Sequence, residues 1–172
     1  MSMTNAEIVE GCRYHNAQAQ RALYDELAPM AMGICFRYSA SRDEANDMLQ
    51  DGFVKVYEKI GYLRDPQKLR SWVYNIMVNT CIQHYRRSRN TVLKEMDEMV
   101  DEGWEEERYT MDDIVESMQT LSVAQRMAFN LCCVEEMPFG EAAKKMKCSE
   151  VNVRVLLYKA RKRMRDYLEN KQ

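Results

Sequence analysis

The chain has 172 residues, enough for one ordinary domain or two small ones, and 46% of them are hydrophobic, enough for a packed core. Only 6 glycines and 3 prolines are present, which argues against an all-β fold because such folds need many tight turns. No apolar run approaches the roughly 20 residues that span a bilayer, and the N-terminus lacks the basic-then-apolar order of a secretory signal, so we expect an all-α, cytoplasmic protein.

Three helices are predicted before an eight-residue loop, GYLRDPQK. The first begins near Asn5, a plausible N-cap, and the second covers about 17–37 with a bend or interruption near Pro29. The third begins after Ser41, a capping residue followed by two acidic residues in the first turn, and ends at Gly61. This third helix is amphipathic, with more apolar residues than one core face needs.

The fourth predicted helix, residues 69–88, interleaves aromatic side chains with amides and bases. Its apolar stripe consists of Val73, Ile76, Met77, Thr80, Cys81 and His84. The aromatic, amide and basic residues beside the stripe or at its exit include Trp72, Asn75, Asn79, Tyr85, Arg86 and Arg87. Such a mixture is typical of single-stranded DNA binding. Alternatively, the aromatic residues anchor the core and the bases are a favourable charge at the helix C-terminus.

The net charge of −2 conceals a strong segregation of charge along the chain. Residues 93–113 hold ten acidic residues against two basic ones, whereas residues 141–172 hold ten basic residues against four acidic ones. Within the acidic stretch, residues 91–110 have weak apolar periodicity, which indicates a tether, with a solvated acidic helix as the alternative. We therefore expect two small helical domains, residues 1–90 and 111–172, joined by an acidic linker.

The second domain is predicted to be a helix-turn-helix domain. Helices are expected over 111–119 and, capped by Ser122, as far as about Val134, and Pro138 opens a third helix in its first turn. A short turn and a helix capped by Ser149 follow, which is helix-turn-helix geometry. The bases available for DNA phosphates are Arg154, Lys159, Arg161, Lys162, Arg163 and Arg165. The alternative is a basic helix pair that binds no ligand.

Enzymatic, cofactor and metal sites are not predicted. The two histidines, His15 and His84, lie in different predicted helices, and the chain has no glycine-rich phosphate loop, HExxH motif or Ser-His-Asp order. The six cysteines include no C-x-x-C pair and no histidine at zinc-finger spacing. We expect them to be reduced thiols that behave as small hydrophobic residues.

Three segments, in this order, resemble the extracytoplasmic-function (ECF) sigma factors, a compact class of bacterial transcription initiation factors with two conserved domains. The segments are EANDMLQDGFVKVYEKI, LRSWVYNIMVNTCIQHYRR and LSVAQRMAFNLCCVEEMPFGEAAKKMKCSEVNVRVLLYKARKRMR. The resemblance covers nearly the whole chain. It implies a protein without a catalytic site that binds core RNA polymerase and promoter DNA, and it points to an anti-sigma protein as a further partner.

The resemblance also implies roles for three groups of residues. Those implied in polymerase binding are Asp47, Gln50, Asp51, Phe53, Val54 and Tyr57. Those implied in recognising and melting the downstream (−10) element are Arg64, Trp72, Asn75, Asn79, Tyr85, Arg86 and Arg87. Those implied in binding the upstream (−35) element are Ser149, Asn152, Arg154, Tyr158, Lys159, Arg161 and Lys162. The family uses the loop that matches residues 61–70 to hold a flipped −10 base.

Within the last predicted helix, Arg154 is the best candidate for a base contact, because arginine can bond guanine at two points. Arg161 and Lys162 lie further along the helix and are expected to contact phosphates. The sequence departs from the family pattern at three positions: Lys147 replaces a usual glycine, Asn152 a frequent threonine and Leu156 a frequent base.

Two other functions remain compatible with the residues alone. One is a stand-alone helix-turn-helix regulator, which should dimerise and bind a palindrome without polymerase. The other is a helical adaptor, which should show no salt-dependent affinity for DNA.

Overall fold

The computed structural model describes residues 3–88 and 109–171. Within these ranges the chain forms α1 Asn5–Arg13, α2 Ala17–Tyr38, α3 Arg42–Lys59, α4 Leu69–Ser88, α5 Met111–Met118, α6 Val123–Phe129, α7 Phe139–Met146 and α8 Glu150–Asn170. Short 3-10 turns lie at Ile60–Tyr62 and Pro66–Lys68, and a π-helical turn, Asn130–Val134, follows α6. The prediction of an all-α fold is confirmed. The predicted linker, apart from its last two residues, lies outside the described residues.

The chain divides into two compact units, residues 1–81 and 82–172, and each is described by itself. Among the described residues, no helix is both long and apolar enough to cross a bilayer. Nor does any group of three His, Cys, Asp or Glu residues in those ranges gather as metal ligands would. All six cysteines lie in the described part of the chain and none forms a disulfide; Cys12, Cys35 and Cys81 are buried as small hydrophobic residues would be, whereas Cys132, Cys133 and Cys148 are half-buried.

A reciprocal cap begins α1. The Thr4 hydroxyl accepts a hydrogen bond from the Glu7 N–H at 3.3 Å, and the Glu7 carboxylate accepts one from the Thr4 N–H at 2.7 Å. The Thr4 N–H and the Thr4 hydroxyl both donate to the Glu7 carboxylate, and these two bonds lower the pKa of Glu7 because they stabilise its charged form. The capping residue is therefore Thr4 and not Asn5 as predicted, since a Thr-x-x-Glu spacing satisfies two backbone donors together.

A tight hairpin joins α1 to α2. His15 takes the left-handed conformation (φ 57°), which ends α1 and lets Asn16 cap α2 through the Ala19 N–H. Gly11 faces Ala19 so closely that a Cβ on Gly11 would lie 2.5 Å from the Ala19 Cβ. Two rigid groups meet there, so neither a rotamer change nor a side-chain shift could relieve the overlap.

Gly11→Ala is expected to destabilise the first domain by about 1–3 kcal/mol, because α1 must move away from α2. Hydrogen exchange of the α1 and α2 amides would measure the change. Gly33→Ala is the matched control, since Gly33 is exposed in α2 and a Cβ there would meet nothing within 4 Å. The control is expected to stabilise the domain by about 0.5–1 kcal/mol, through the loss of glycine's conformational freedom. Equal effects of the two substitutions would contradict the packing argument.

The helix α2 continues through Pro29, so of the two predicted alternatives the interruption is wrong and the bend stays a prediction. Pro29 lies on the exposed side, where water can bond the carbonyl that its missing N–H leaves unsatisfied. The buried positions Leu23, Leu27 and Ala31 hold the opposite face of the helix on both sides of the proline. Tertiary packing thus overrides the local preference of proline.

The helix α3 begins as predicted and ends earlier than predicted. The Ser41 hydroxyl accepts a hydrogen bond from the Glu44 N–H at 3.2 Å and caps the helix. The last residue of α3 is Lys59, and Gly61 lies in the 3-10 turn that follows. Gly52 is buried, and a Cβ there would overlap the Met77 sulfur, so the missing side chain allows α3 to approach α4.

The second domain is built on two reciprocally capped helices, α5 and α6. Thr110 and Asp113 cap α5, and the bonds from Thr110, together with one from Lys171, lower the pKa of Asp113 to about 2. Ser122 caps α6 with Gln125, which confirms the prediction for Ser122. The apolar core that these helices share with α8 comprises Met118, Leu121, Phe129, Leu157, Ala160 and Met164.

The helix-turn-helix consists of α7 and α8. Pro138 stands at the N-cap position of α7 and not inside its first turn, one residue from the prediction. Lys147 ends α7 in the left-handed conformation (φ 54°, ψ 51°), so the turn keeps the backbone shape that glycine usually provides and accommodates a side chain. Ser149 then caps α8 by accepting a hydrogen bond from the Asn152 N–H, as predicted.

Candidate functional site

The outward face of α3 carries a compact polar stripe with one exposed aliphatic residue. Asp47, Gln50 and Val54 are exposed and Asp51 is half-buried, and their spacing of three, four and seven residues places them on one face. Val54 is 55% exposed at the C-terminal end of this stripe. Four of the six residues predicted for polymerase binding therefore share one accessible surface.

The other two predicted polymerase-binding residues face the interior of the first domain. Phe53 is only 3% exposed, and its ring packs 4.6 Å from that of Tyr24 on α2, so the prediction that it contacts a partner is corrected. The Tyr57 hydroxyl donates to the Gln20 carbonyl at 2.9 Å, and burial raises the pKa of Tyr57 to about 12. These two residues hold α3 against α2.

The exposed face of α4 matches the prediction in part. Asn75, Asn79, Arg86 and Arg87 are exposed and Trp72 is half-buried. Tyr85, which we predicted on this exposed face or at the helix exit, is instead only 4% exposed. The buried face includes Val78, Ile82 and Tyr85 as well as the predicted Val73, Met77, Thr80 and Cys81, whereas Ile76 and His84 are half-buried.

The segment between α3 and α4 is held at both ends. Leu63 and Leu69 are buried, and the Arg13 guanidinium donates a hydrogen bond of 2.6 Å to the Leu63 carbonyl. Asp65 caps the second 3-10 turn by accepting from the Gln67 N–H at 3.0 Å. Between these anchors Arg64 is exposed, as a nucleic-acid contact requires.

An exposed tyrosine in the same segment was not predicted. Tyr62 is 81% exposed, next to the buried Leu63. A bulky aromatic residue close to a basic one in a short polar loop was the available signal, because unstacked bases are held by aromatic faces and cations. The segment therefore offers an exposed aromatic ring and an exposed guanidinium two residues apart.

The first two turns of α8 present fewer side chains than the sequence predicted. Arg154 is exposed, whereas Asn152 is only 7% exposed, so the prediction that it contacts the −35 element is corrected. The Ser149 cap sets the helix so that Asn152 and Val153 face inward, and Val151 is 37% exposed in their place. Tyr158 and Lys159, one turn further on, are half-buried.

The predicted phosphate contacts differ in their surroundings. Lys162 is exposed, whereas Arg161 is half-buried with its Nη2 3.5 Å from the Cys133 sulfur in the π-helical turn. The guanidinium carbon of Arg154 lies 4.4 Å from the centre of the Phe139 ring. An exposed, basic face thus runs along α8, with arginines whose positions are set by neighbouring groups.

Comparison with protein families matches both parts of this architecture. Residues 23–91 match the family described as Sigma-70 region 2, and residues 111–164 match the family described as Sigma-70, region 4. The RNA polymerase sigma factor SigV of Bacillus subtilis is 27% identical over 136 residues, which cover 77% of this chain and 80% of that protein. The ECF RNA polymerase sigma-E factor of Haemophilus influenzae is 26% identical over 189 residues, covering 98% and 95%.

A solved structure shares the fold. The sigma factor RpoE of Bartonella quintana, crystallised in complex with the anti-sigma factor NepR, superposes with a TM-score of 0.50 at 19% identity. The match covers 87% of this chain and 96% of that one.

Proposed function

The chain belongs to the ECF-type sigma factors of the sigma-70 family, with regions 2 and 4, and from this premise we propose which of its surfaces meet polymerase and which meet DNA. Sigma factors of this family are not enzymes; the protein binds RNA polymerase and directs it to promoters. The observation that carries this function is the presence of both sigma-70 regions in order on one chain. Transcription in vitro with core polymerase tests it, since a stand-alone regulator would not restore promoter-specific initiation.

We propose that the outward face of α3 binds core polymerase through Asp47, Gln50, Asp51 and Val54. These residues are accessible together, and packing within the domain does not require an aliphatic side chain at Val54. An exposed apolar residue surrounded by polar ones is the usual anatomy of a small protein interface. Phe53 and Tyr57 support this surface from beneath by fixing α3 on α2.

Val54→Asp and Asp47→Arg are each expected to weaken binding to core polymerase by about tenfold or more, because each alters the contact surface of α3. Glu26→Arg is the control for the charge change, since Glu26 is exposed on α2 of the same domain. Fluorescence anisotropy of labelled sigma measures the affinity of each variant and of the control for core polymerase. Wild-type binding by both α3 variants, or equal loss in the control, would contradict the assignment.

We propose that the exposed residues of α4 and the preceding segment bind the melted −10 element. Arg64, Asn75, Asn79, Arg86 and Arg87 supply hydrogen-bond donors and positive charge on accessible positions, and Trp72 adds a partly accessible ring. Unstacked bases and a charged backbone need this combination of groups. Tyr85 is excluded from direct contact in this proposal because it is buried.

For the −35 element, we propose that Arg154 and Tyr158 approach base edges while Lys159, Arg161 and Lys162 approach phosphates. Ser149 contributes indirectly, by capping α8 so that its first turn can enter a major groove. Two classes of contact should give two phenotypes. A base contact affects discrimination, and a phosphate contact affects every promoter alike.

Lys162→Ala is expected to reduce transcription from all promoters by a similar factor. It should also lower the slope of log affinity for DNA against log salt concentration by about one unit. Lys162→Arg is the control, because it keeps the charge at an exposed position and should keep both properties. Transcription from a promoter library at two salt concentrations measures both effects. A change in promoter ranking for Lys162→Ala would count against a phosphate contact.

We propose that residues 1–90 and 111–172 act as the two promoter-binding domains and that residues 91–110 connect them as an acidic linker. The charge of the linker supports a role away from the DNA phosphates, which would repel it. We also propose an anti-sigma protein as a partner, as in the RpoE–NepR structure. Such a protein would inactivate this chain by covering the α3 surface that polymerase needs.

A further inference from the structure

The guanidinium of Arg154 rests on an aromatic ring from the other helix of the helix-turn-helix. Its carbon lies 4.4 Å from the centre of the Phe139 ring, within the range in which a cation is attracted to an aromatic face. Phe139 is the first residue of α7, and Arg154 lies in the second turn of α8. The contact therefore links the starts of both helices.

The ring beneath Arg154 is itself fixed. Phe139 is half-buried and packs against the apolar core of the second domain, whose members include Leu157 and Met164. A ring held in this way cannot follow the arginine as it moves. The guanidinium thus rests on a rigid platform, and fewer of its rotamers are populated before DNA binds.

Stacking on Phe139 leaves the hydrogen-bonding groups of Arg154 available. A cation–π contact uses the flat face of the guanidinium, whereas a guanine is bound through the N–H groups along its edge. The two interactions can therefore exist at the same time. The arginine side chain is long and flexible. It loses less conformational entropy on binding a base if the plane of its guanidinium is already fixed.

The acidic residue nearest to Arg154 along the helix is turned towards α7. Glu150 precedes Arg154 by four residues, a spacing at which the two side chains can pair. A carboxylate oxygen of Glu150 instead lies 2.7 Å from the place where a Cβ on Gly140 would stand. The missing side chain of Gly140 makes this position available, close to the positive end of the α7 dipole.

We propose that Phe139 is a positioning residue for promoter recognition: its ring orients the Arg154 guanidinium, so base preference at one −35 position depends on a residue of α7 that touches no DNA. This inference rests on the proposed base contact of Arg154. Glu150 and Gly140 complete the arrangement, because they keep the neighbouring carboxylate on α7. The specificity of α8 is thus partly encoded in the helix that precedes it.

The test compares Phe139→Leu, Phe139→Tyr and Arg154→Ala in the full chain, with core polymerase and a library of promoters that differ at single −35 positions. The measured quantity is the ratio of transcription between the preferred base and the others at each position. A loss of folded protein lowers transcription from all promoters by the same factor, so it cancels in this ratio. Arg154→Ala is expected to reduce the ratio at one position by about fivefold or more.

Phe139→Leu, which keeps an apolar side chain but removes the ring, is expected to reduce the ratio at that same position by about two- to fivefold. Phe139→Tyr keeps the ring and should keep the ratio. An unchanged ratio in Phe139→Leu, beside a reduced one in Arg154→Ala, would overturn this inference and leave the base contact standing. If Arg154→Ala changed no position, the proposed base contact would fall, and the role of Phe139 with it.

Discussion

Shortening the segment between α3 and α4 is expected to abolish promoter opening while leaving polymerase binding intact. The variant replaces residues 64–67 with two glycines and keeps the buried Leu63 and Leu69 that anchor the segment. An unpaired base costs a few kcal/mol to extrude, so the protein must return that energy through stacking and hydrogen bonds. Tyr62 and Arg64 offer the ring and the cation for such contacts, and the shortened segment lacks Arg64 and has less reach for Tyr62.

Permanganate reactivity of thymines near the start site measures the opening, and anisotropy of labelled sigma measures polymerase binding. A variant of unchanged length, with glycine and serine at the same four positions, separates the effect of length from that of side chains. A promoter with a preformed bubble should restore part of the transcription, because the base no longer has to be extracted from a duplex. Wild-type reactivity in the shortened variant would refute the expectation.

Helix boundaries in this chain could be predicted because capping residues specify them locally. Ser41, Ser122 and Ser149 were each predicted as caps, and each accepts a hydrogen bond from the backbone N–H three residues further on. The same chemistry explains the error at the N-terminus. Thr4 forms a reciprocal bond with Glu7 that Asn5 cannot match at its own spacing.

The direction in which each helix faces was harder to predict than its ends. Phe53, Tyr85 and Asn152 were assigned to binding surfaces, and all three are buried. Each stands at the border between the apolar and polar faces of its helix, where the neighbouring helix decides whether the position is covered. Periodicity defines the edge of a buried stripe to within about one residue. An error of that size explains why His84 was predicted in the stripe of α4 while its neighbour Tyr85 is the buried residue.

Substituting one buried arginine is expected to unfold the second domain. Arg126 is 1% exposed in α6, and its guanidinium donates to the carbonyls of Met118, Gln119 and Leu121 at 3.1–3.2 Å. These carbonyls belong to the end of α5 and the turn after it, where the next-turn helical N–H donors are missing, although the Met118 carbonyl also accepts from the Leu121 N–H at 3.2 Å. On a surface helix an arginine four residues after the cap looks like a solvated base, so sequence alone did not identify this role.

Arg126→Met is expected to cost about 3–5 kcal/mol, because it keeps the apolar volume but leaves buried carbonyls without charged donors. A domain of this size rarely has more than about 3–5 kcal/mol of stability, so most of its molecules should unfold. Arg163→Met is the control, since Arg163 is exposed on α8 and loses the same charge. Hydrogen exchange of the full chain distinguishes the outcomes.

Protection of the amides in α5–α8 should disappear in Arg126→Met, while protection in α1–α3 should remain. Recognition of the −35 element should be lost with the fold of the second domain, whereas binding of core polymerase through α3 should persist. The protection of α5–α8 in Arg126→Lys should be intermediate between that of the wild type and that of Arg126→Met. The lysine keeps the charge, but one ammonium group cannot reach all three carbonyls that the guanidinium bonds. Full protection of α5–α8 in Arg126→Met would show that hydrophobic packing alone holds α5 on α6, and that the arginine is not required.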